Sequence, residues 1–169
     1  MLTADFDTLA ARCAPTVATT TLRAIATVES GLNPYAIGLV GGALRRQPST
    51  LLEGLATATA LQKTNARFSA GLVQIYVGNW PAHGLTAQTV FEPCPNLRAA
   101  AAILGDCYQR ATTSSDHPQQ ALRKAISCYY SNNFTTGFAH GYVHQVVATA
   151  MRYGAQAPTS ALNAKQGGQ

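Results

Sequence analysis

The sequence predicts a single, mostly α-helical domain with one small irregular or β-hairpin region. Three observations carry this expectation. The chain is 169 residues long, which suits one core of ordinary size. Hydrophobic residues make up 47% of it, and many are alanine, the best helix former. Strand-type alternation is scarce, whereas apolar residues recur at helical spacing.

Asp5 to Arg12 reads as a short first helix that stops near Pro15. Thr19, Thr20 or Thr21 can cap a second helix, Leu22 to Ser30, which Gly31 and Asn33–Pro34 end. Tyr35 to Pro48 gathers Gly38, Gly41 and Gly42 among apolar residues and reads as a loop or small irregular hairpin. Ser49 or Thr50 caps a third helix that runs to about Asn65. Phe68 to Gly84 is short, mixed and punctuated by glycine. Asn96 is positioned to cap a helix from Leu97 to about Arg110, with Leu97, Ala100, Leu104 and Cys107 on its apolar face. A polar loop, Thr112 to Gln119, leads to a helix from Gln120 to about Tyr130, and a last helix spans Gly141 to Tyr153. Residues 1–153 form the expected domain. Residues 154–169, rich in Ala, Gly, Gln and Ser, carry no core pattern and read as a flexible tail.

Composition narrows the function classes. Net charge is +5 with only 11% charged residues, and the basic ones are scattered. No basic cluster is interleaved with aromatics, so nucleic acid is not an expected partner. No apolar run is long enough to cross a bilayer, so no membrane span is expected. The start, Met1 to Asp5, has neither a basic n-region nor an apolar h-region, so no signal peptide is read in this chain. Cys13, Cys94, Cys107 and Cys128 form no C-x-x-C pair, so a zinc site is not expected. No other metal and no cofactor is expected. Two disulfides, in any of three connectivities, and four reduced buried thiols both remain open on the count alone.

The chain has seven acidic residues, and six occupy unremarkable places. Asp5 and Asp7 open the first helix and Glu53 lies in the first turn of the third, where the helix dipole favours an anion. Glu92 and Asp116 fall in loops, and Asp106 sits on a solvent-facing side. Glu29 differs. Leu22, Ile25, Ala26 and position 29 follow the spacing i, i+3, i+4, i+7, one face of a helix. The last place on that apolar stripe is a carboxylate, in the turn where the dipole disfavours an anion. Burial and dipole both push a carboxyl pKa up, towards what a general acid needs near neutral pH. The bland alternative is a glutamate that pairs with Arg23 or reaches solvent at the helix end.

Three stretches surround this acid in order: Glu29-Ser30-Gly31-Leu32-Asn33-Pro34, Ser69-Ala70-Gly71-Leu72-Val73-Gln74-Ile75, and Ala125-Ile126-Ser127-Cys128-Tyr129-Tyr130. Together they resemble the three signature motifs of the soluble lytic transglycosylase family, whose fold is lysozyme-like. The resemblance spans roughly residues 10 to 153 and is nearest to the members that serve type IV secretion systems. The insertion between the first two motifs, and Asn132-Asn133-Phe134 leading to Gly141-Tyr142-Val143, support it. Two departures stand out. Val73 replaces the usual methionine of the second motif. The third motif, usually Tyr-Asn-x-Gly, reads Tyr129-Tyr130-Ser131-Asn132, which is tolerable if Asn132 is left-handed.

The resemblance implies that Glu29 acts alone, first as acid and then as base, on the glycan strands of peptidoglycan. It implies that Gln74 holds a sugar or acetamido group, the alternative being a structural amide. Tyr129 continues the stripe of Leu122, Ala125 and Ile126. It is either a core aromatic or, as the family implies, a hydroxyl bonded near the acid or the N-acetyl group. Ser69 and Ser30 are candidates to bond Glu29 or a sugar. Tyr76 and Trp80 are candidates to stack on sugar rings, with core packing as the alternative. Export to the periplasm is implied as well, where disulfides persist, and the expected pairs are Cys13–Cys94 and Cys107–Cys128. Secretion-system subunits are possible partners. A non-catalytic wall-binding assembly factor and a hydrolytic lysozyme are the competing readings.

Overall fold

The computed structural model describes residues 3–115 and 117–155. Seven helices run in chain order: α1 (Thr3–Cys13), α2 (Thr19–Ser30), α3 (Leu51–Lys63), α4 (Pro93–Thr112), α5 (Pro118–Ser131), α6 (Thr136–Ala139) and α7 (Tyr142–Ala155). Between them lie three short strands, β1 (Ile37–Leu39), β2 (Phe68–Ala70) and β3 (Ile75–Tyr76), and two 3-10 turns at Val77–Asn79 and Pro81–His83. The mostly helical class with a small β region is thus observed. Asp116, the chain start at Met1–Leu2 and residues 156–169 of the expected tail lie outside the described residues. Among the described residues no helix is long and apolar enough to cross a membrane.

Helix α2 is the spine of the domain. Leu22, Ala24, Ile25 and Ala26 are fully buried, and α2 packs against α7 on one side and α1 on another. Its stop is set by Gly31, left-handed at φ +60°, whose N–H and that of Leu32 return to the Thr27 and Ala26 carbonyls. Arg23, the cation that could have neutralised Glu29, instead pairs with Asp7 at 2.9 Å and lies over the Tyr153 ring. That joins α2 to α1 and α7 and leaves Glu29 without a cation from its own helix.

Several boundaries differ from the sequence expectation. Helix α2 begins three residues early, so Thr19, Thr20 and Thr21 lie within it, and Ala18 precedes it with no side-chain cap. Thr50 does cap α3, accepting from the Glu53 N–H at 3.2 Å. Helix α4 starts at Pro93, a residue suited to the first turn because it has no N–H to leave unpaired. Asn96 is therefore inside α4, not at its cap, and is fully buried. Helix α7 continues through Ala155, two residues beyond the expected end, and α6 has no counterpart in the sequence reading.

The stretch from Tyr35 to Pro48 does not fold back as a hairpin on itself. Strand β1 pairs instead with β2, across the inserted α3, and β2 pairs with β3, all antiparallel. Ile37, Ala70 and Ile75 form one row across the sheet and are buried in the core. Gly38, Ser69 and Tyr76 form the adjacent row and face the opposite side. Trp80 closes the core edge-on against Phe68, ring centroids 5.4 Å apart. Two disulfides fasten the frame: Cys13–Cys94 ties α1 to α4, and Cys107–Cys128 ties α4 to α5.

Candidate active site

The second row of the sheet, Gly38, Ser69 and Tyr76, opens into a cavity of about 530 Å³ that is also lined by Glu29, Gln74, Tyr129 and Tyr130. A second cavity of about 680 Å³ continues it. The two share Tyr76, Asn79, Ile103, Tyr129 and Tyr130, and the second ends among His83, Asp106, Arg110 and Asn132. The result is one elongated groove with Glu29 in its first segment. Such a shape suits a linear polymer better than a small molecule.

The turn that carries Gln74 is held from three directions. Ser30, next to Glu29, donates its hydroxyl to the Leu72 carbonyl at 2.7 Å. Tyr129 donates to the Val73 carbonyl at 2.6 Å. Asn96 of α4 accepts from the Val73 N–H at 3.0 Å and donates to the Ala70 carbonyl at 3.2 Å. These bonds satisfy the buried polar backbone of a turn that makes few bonds of its own. They also mean that the three motifs are joined physically, each through a named side chain. Asn96 is placed by this need, which explains why a residue that resembles a cap in sequence is found inside a helix.

Gln74 sits left-handed at φ +50°, an unusual conformation for a side chain of its size. Its amide nitrogen donates to the Ala36 carbonyl at 2.9 Å and the Gly71 carbonyl at 2.8 Å, which holds the strained residue in place. The amide oxygen is left facing Gly38, where an added Cβ would come within 2.8 Å of it. A glycine at 38 is thus what lets the Gln74 oxygen lie in the cavity. The site built here accepts a hydrogen bond through Gln74; it does not donate one.

Glu29 lies at the cavity wall with most of its side chain removed from solvent. Burial pushes its carboxyl up from 4.5 to about 7, against the opposing pull of one hydrogen bond. That bond comes from Tyr142, whose hydroxyl donates to Glu29 Oε1 at 2.5 Å. Burial and the neighbouring Glu29 charge push the Tyr142 and Tyr129 hydroxyls well above the ordinary tyrosine range, so both stay protonated as donors. A carboxyl poised near neutrality is able to give a proton and take one back in a single cycle. Among the described residues lining the groove, the other carboxylate is Asp106, which is ion-paired with Arg110 at 3.0 Å.

The residues expected from sequence therefore divide. Glu29, Gln74, Tyr129, Ser69 and Tyr76 come together around one cavity. Ser30 does not bond Glu29: its hydroxyl goes to the Ala26 and Leu72 carbonyls, a positioning contact. Trp80 is no sugar platform, being buried at 2% exposure with its indole N–H on the Ile75 carbonyl. Tyr129 lines the cavity with its ring, but its hydroxyl is engaged by Val73 and not by Glu29. Asn132 is left-handed at φ +57°, the conformation that allows asparagine to replace glycine there. Tyr142 is the partner that the candidate set lacks. It lies 113 residues from Glu29 and no local pattern links the two, although Gly141-Tyr142-Val143 belongs to a stretch that supports the family resemblance.

Comparison with known proteins places the chain. It matches the family model described as the transglycosylase SLT domain over residues 8–145. It is 49% identical over 151 residues to the type IV secretion system protein virB1 of Brucella suis, an alignment covering 86% of this chain and 63% of that protein. It is 44% identical over 151 residues to the protein virB1 of Rhizobium radiobacter, covering 87% and 61%. The chain thus spans less than two thirds of the length of these relatives. No solved structure matches it. By the reach of the family match and the identity to these relatives, this chain belongs to the transglycosylase SLT domain family.

Proposed function

We propose that the chain cleaves the β-1,4 bond between N-acetylmuramic acid and N-acetylglucosamine in peptidoglycan without consuming water. The observation that carries this reading is a single buried carboxyl, Glu29, poised near pH 7 in a long groove and steadied by Tyr142. Protonated Glu29 gives its proton to the glycosidic oxygen, and the C1–O bond breaks. The substrate's own N-acetyl group stabilises the cation-like sugar, as in substrate-assisted glycosidases. Ionised Glu29 then takes the proton of the C6 hydroxyl as that oxygen bonds C1. The product is a 1,6-anhydro sugar, and Glu29 ends protonated as it began. Enzymes that use a second carboxylate as nucleophile or base need it opposite the acid, and Asp106, already paired with Arg110, is poorly suited to that role.

In this reading the Gln74 oxygen accepts from an acetamido N–H, Ser69 bonds a sugar, and Tyr76 and the Tyr129 ring line the strand. Residues 1–153 act as the catalytic domain. The relatives' name, a type IV secretion system protein, favours a local opening of the wall for a secretion apparatus, with its subunits as possible partners. The two disulfides favour a periplasmic setting.

The test is mass analysis of muropeptides released from purified peptidoglycan. Wild-type protein is expected to release anhydro-muropeptides, and Glu29→Gln to lose at least about a thousandfold in rate while keeping its fold. Reducing ends in place of anhydro ends would make the protein a hydrolytic lysozyme. Binding without any cleavage would make it a wall-binding assembly factor.

A further inference from the structure

Tyr130 stands at the waist of the groove and borders both of its segments. It is 44% exposed, a large aromatic surface left open to solvent. Its position is nonetheless fixed. One face stacks on the Tyr142 ring, centroids 4.5 Å apart at an interplanar angle of 21°. Its hydroxyl meets His140 Nδ1 at 3.2 Å, and the His140 ring stands edge-on to it at 5.9 Å. A ring held on one side and at its tip loses little freedom when a ligand covers what remains. The C–H face of a pyranose is its apolar side, and its slightly positive hydrogens complement the negative face of an aromatic ring. Tyr76, 37% exposed, borders both segments as well, so the waist offers two aromatic surfaces.

The two tyrosines are not equivalent. Tyr130 rests on Tyr142, and Tyr142 holds Glu29. Among the described residues, no ring stack ties Tyr76 to Tyr142.

We propose that Tyr130 is a sugar platform of the groove and, through its stack on Tyr142, a positioning residue for Glu29. The proposal rests on the glycan-cleaving reading above and deepens it. A sugar seated at the waist presses on Tyr130, the ring that packs against Tyr142, whose hydroxyl meets Glu29, so occupancy of the groove and placement of the acid are coupled.

The experiment measures kcat and KM on peptide-free glycan strands from peptidoglycan, and binding of the same strands to each variant in a Glu29→Gln background. Tyr130→Leu fills space without a flat face, and Tyr130→Gln provides a second ringless variant. Both are expected to raise KM and the dissociation constant about tenfold and to lower kcat about tenfold. Tyr130→Phe is expected to recover most of that loss, because the stack and not the hydroxyl carries the effect. Tyr76→Leu is expected to raise KM with little change in kcat. Ringless variants with wild-type kcat and KM would overturn the role of Tyr130 alone, as would a Tyr130→Phe defect equal to that of Tyr130→Leu. Wild-type protein that neither binds nor cleaves the strands would instead overturn the reading on which the proposal rests.

Discussion

Glu29 and Glu53 are the same residue type placed at opposite ends of two successive helices, and they behave as opposites. Glu53 lies in the first turn of α3, at the surface. Arg46 grips it with two bonds, at 2.6 and 3.0 Å, and Ser49 adds its N–H and hydroxyl at 2.8 and 3.0 Å. Those donors hold its carboxyl down from 4.5 to about 2. Glu29 lies in the last turn of α2, beside an apolar stripe, with one neutral donor and no paired cation among the described residues. Burial holds it up at about 7. The difference teaches that the sequence letter carries no chemistry by itself. A glutamate surrounded by donors is a structural anchor, whereas one denied them becomes an acid.

Removing each charge in turn should separate the two most sharply. The folded-state pKa of Glu29 is raised, so folding is unhindered by this group below about 4.5, and ionising it costs stability as pH rises to about 7. The cost at pH 8 is about 3 kcal/mol by the usual conversion of a pKa shift. Glu29→Gln is therefore expected to melt higher than wild type at pH 8, with the gap closing by pH 4. Glu53 has a lowered pKa, so its contribution is present above about 4.5 and lost as pH falls towards about 2. Glu53→Gln is expected to melt lower than wild type at pH 7, with a gap that closes in acid. Thermal melts of the three proteins across this range check both signs, and equal signs would break the contrast.

A finer probe acts on the Tyr142 hydroxyl that donates to Glu29. The Tyr142 hydroxyl favours the carboxylate, so Tyr142→Phe leaves burial unopposed and should move the Glu29 midpoint above about 7. The pH–rate profile should shift to higher pH, with kcat reduced about tenfold, the scale of one hydrogen bond to a charged group. An unshifted profile would show that the hydroxyl does not tune the acid.

Much of this contrast is legible in sequence, and the rest is hidden for definite reasons. Glu29 stands out because Leu22, Ile25 and Ala26 mark its helix face, and all three prove fully buried. Glu53 is recognisable as a first-turn anion behind the Thr50 cap, although its fork with Arg46 needs a loop geometry that no pattern specifies. Asn96 misleads because an asparagine ahead of an apolar run is what a cap looks like, while its real partners are backbone groups 23 and 26 residues away. Strand β1 is three residues long and pairs across an inserted helix, so neither alternation nor a short turn announces it. Tyr142 lies in the Gly141-Tyr142-Val143 stretch, but its role beside Glu29 is not legible there, because the bond exists only once α2 and α7 pack.

The central claim is that one glutamate is kept protonated near neutrality by its surroundings while another is not. Carbon-13 NMR titration of selectively labelled glutamate carboxyls measures this directly. The account predicts a Glu29 midpoint of about 7 and a Glu53 midpoint of about 2 in the same protein. A Glu29 carboxyl that titrates alongside exposed glutamates, at about 4.3, would contradict it.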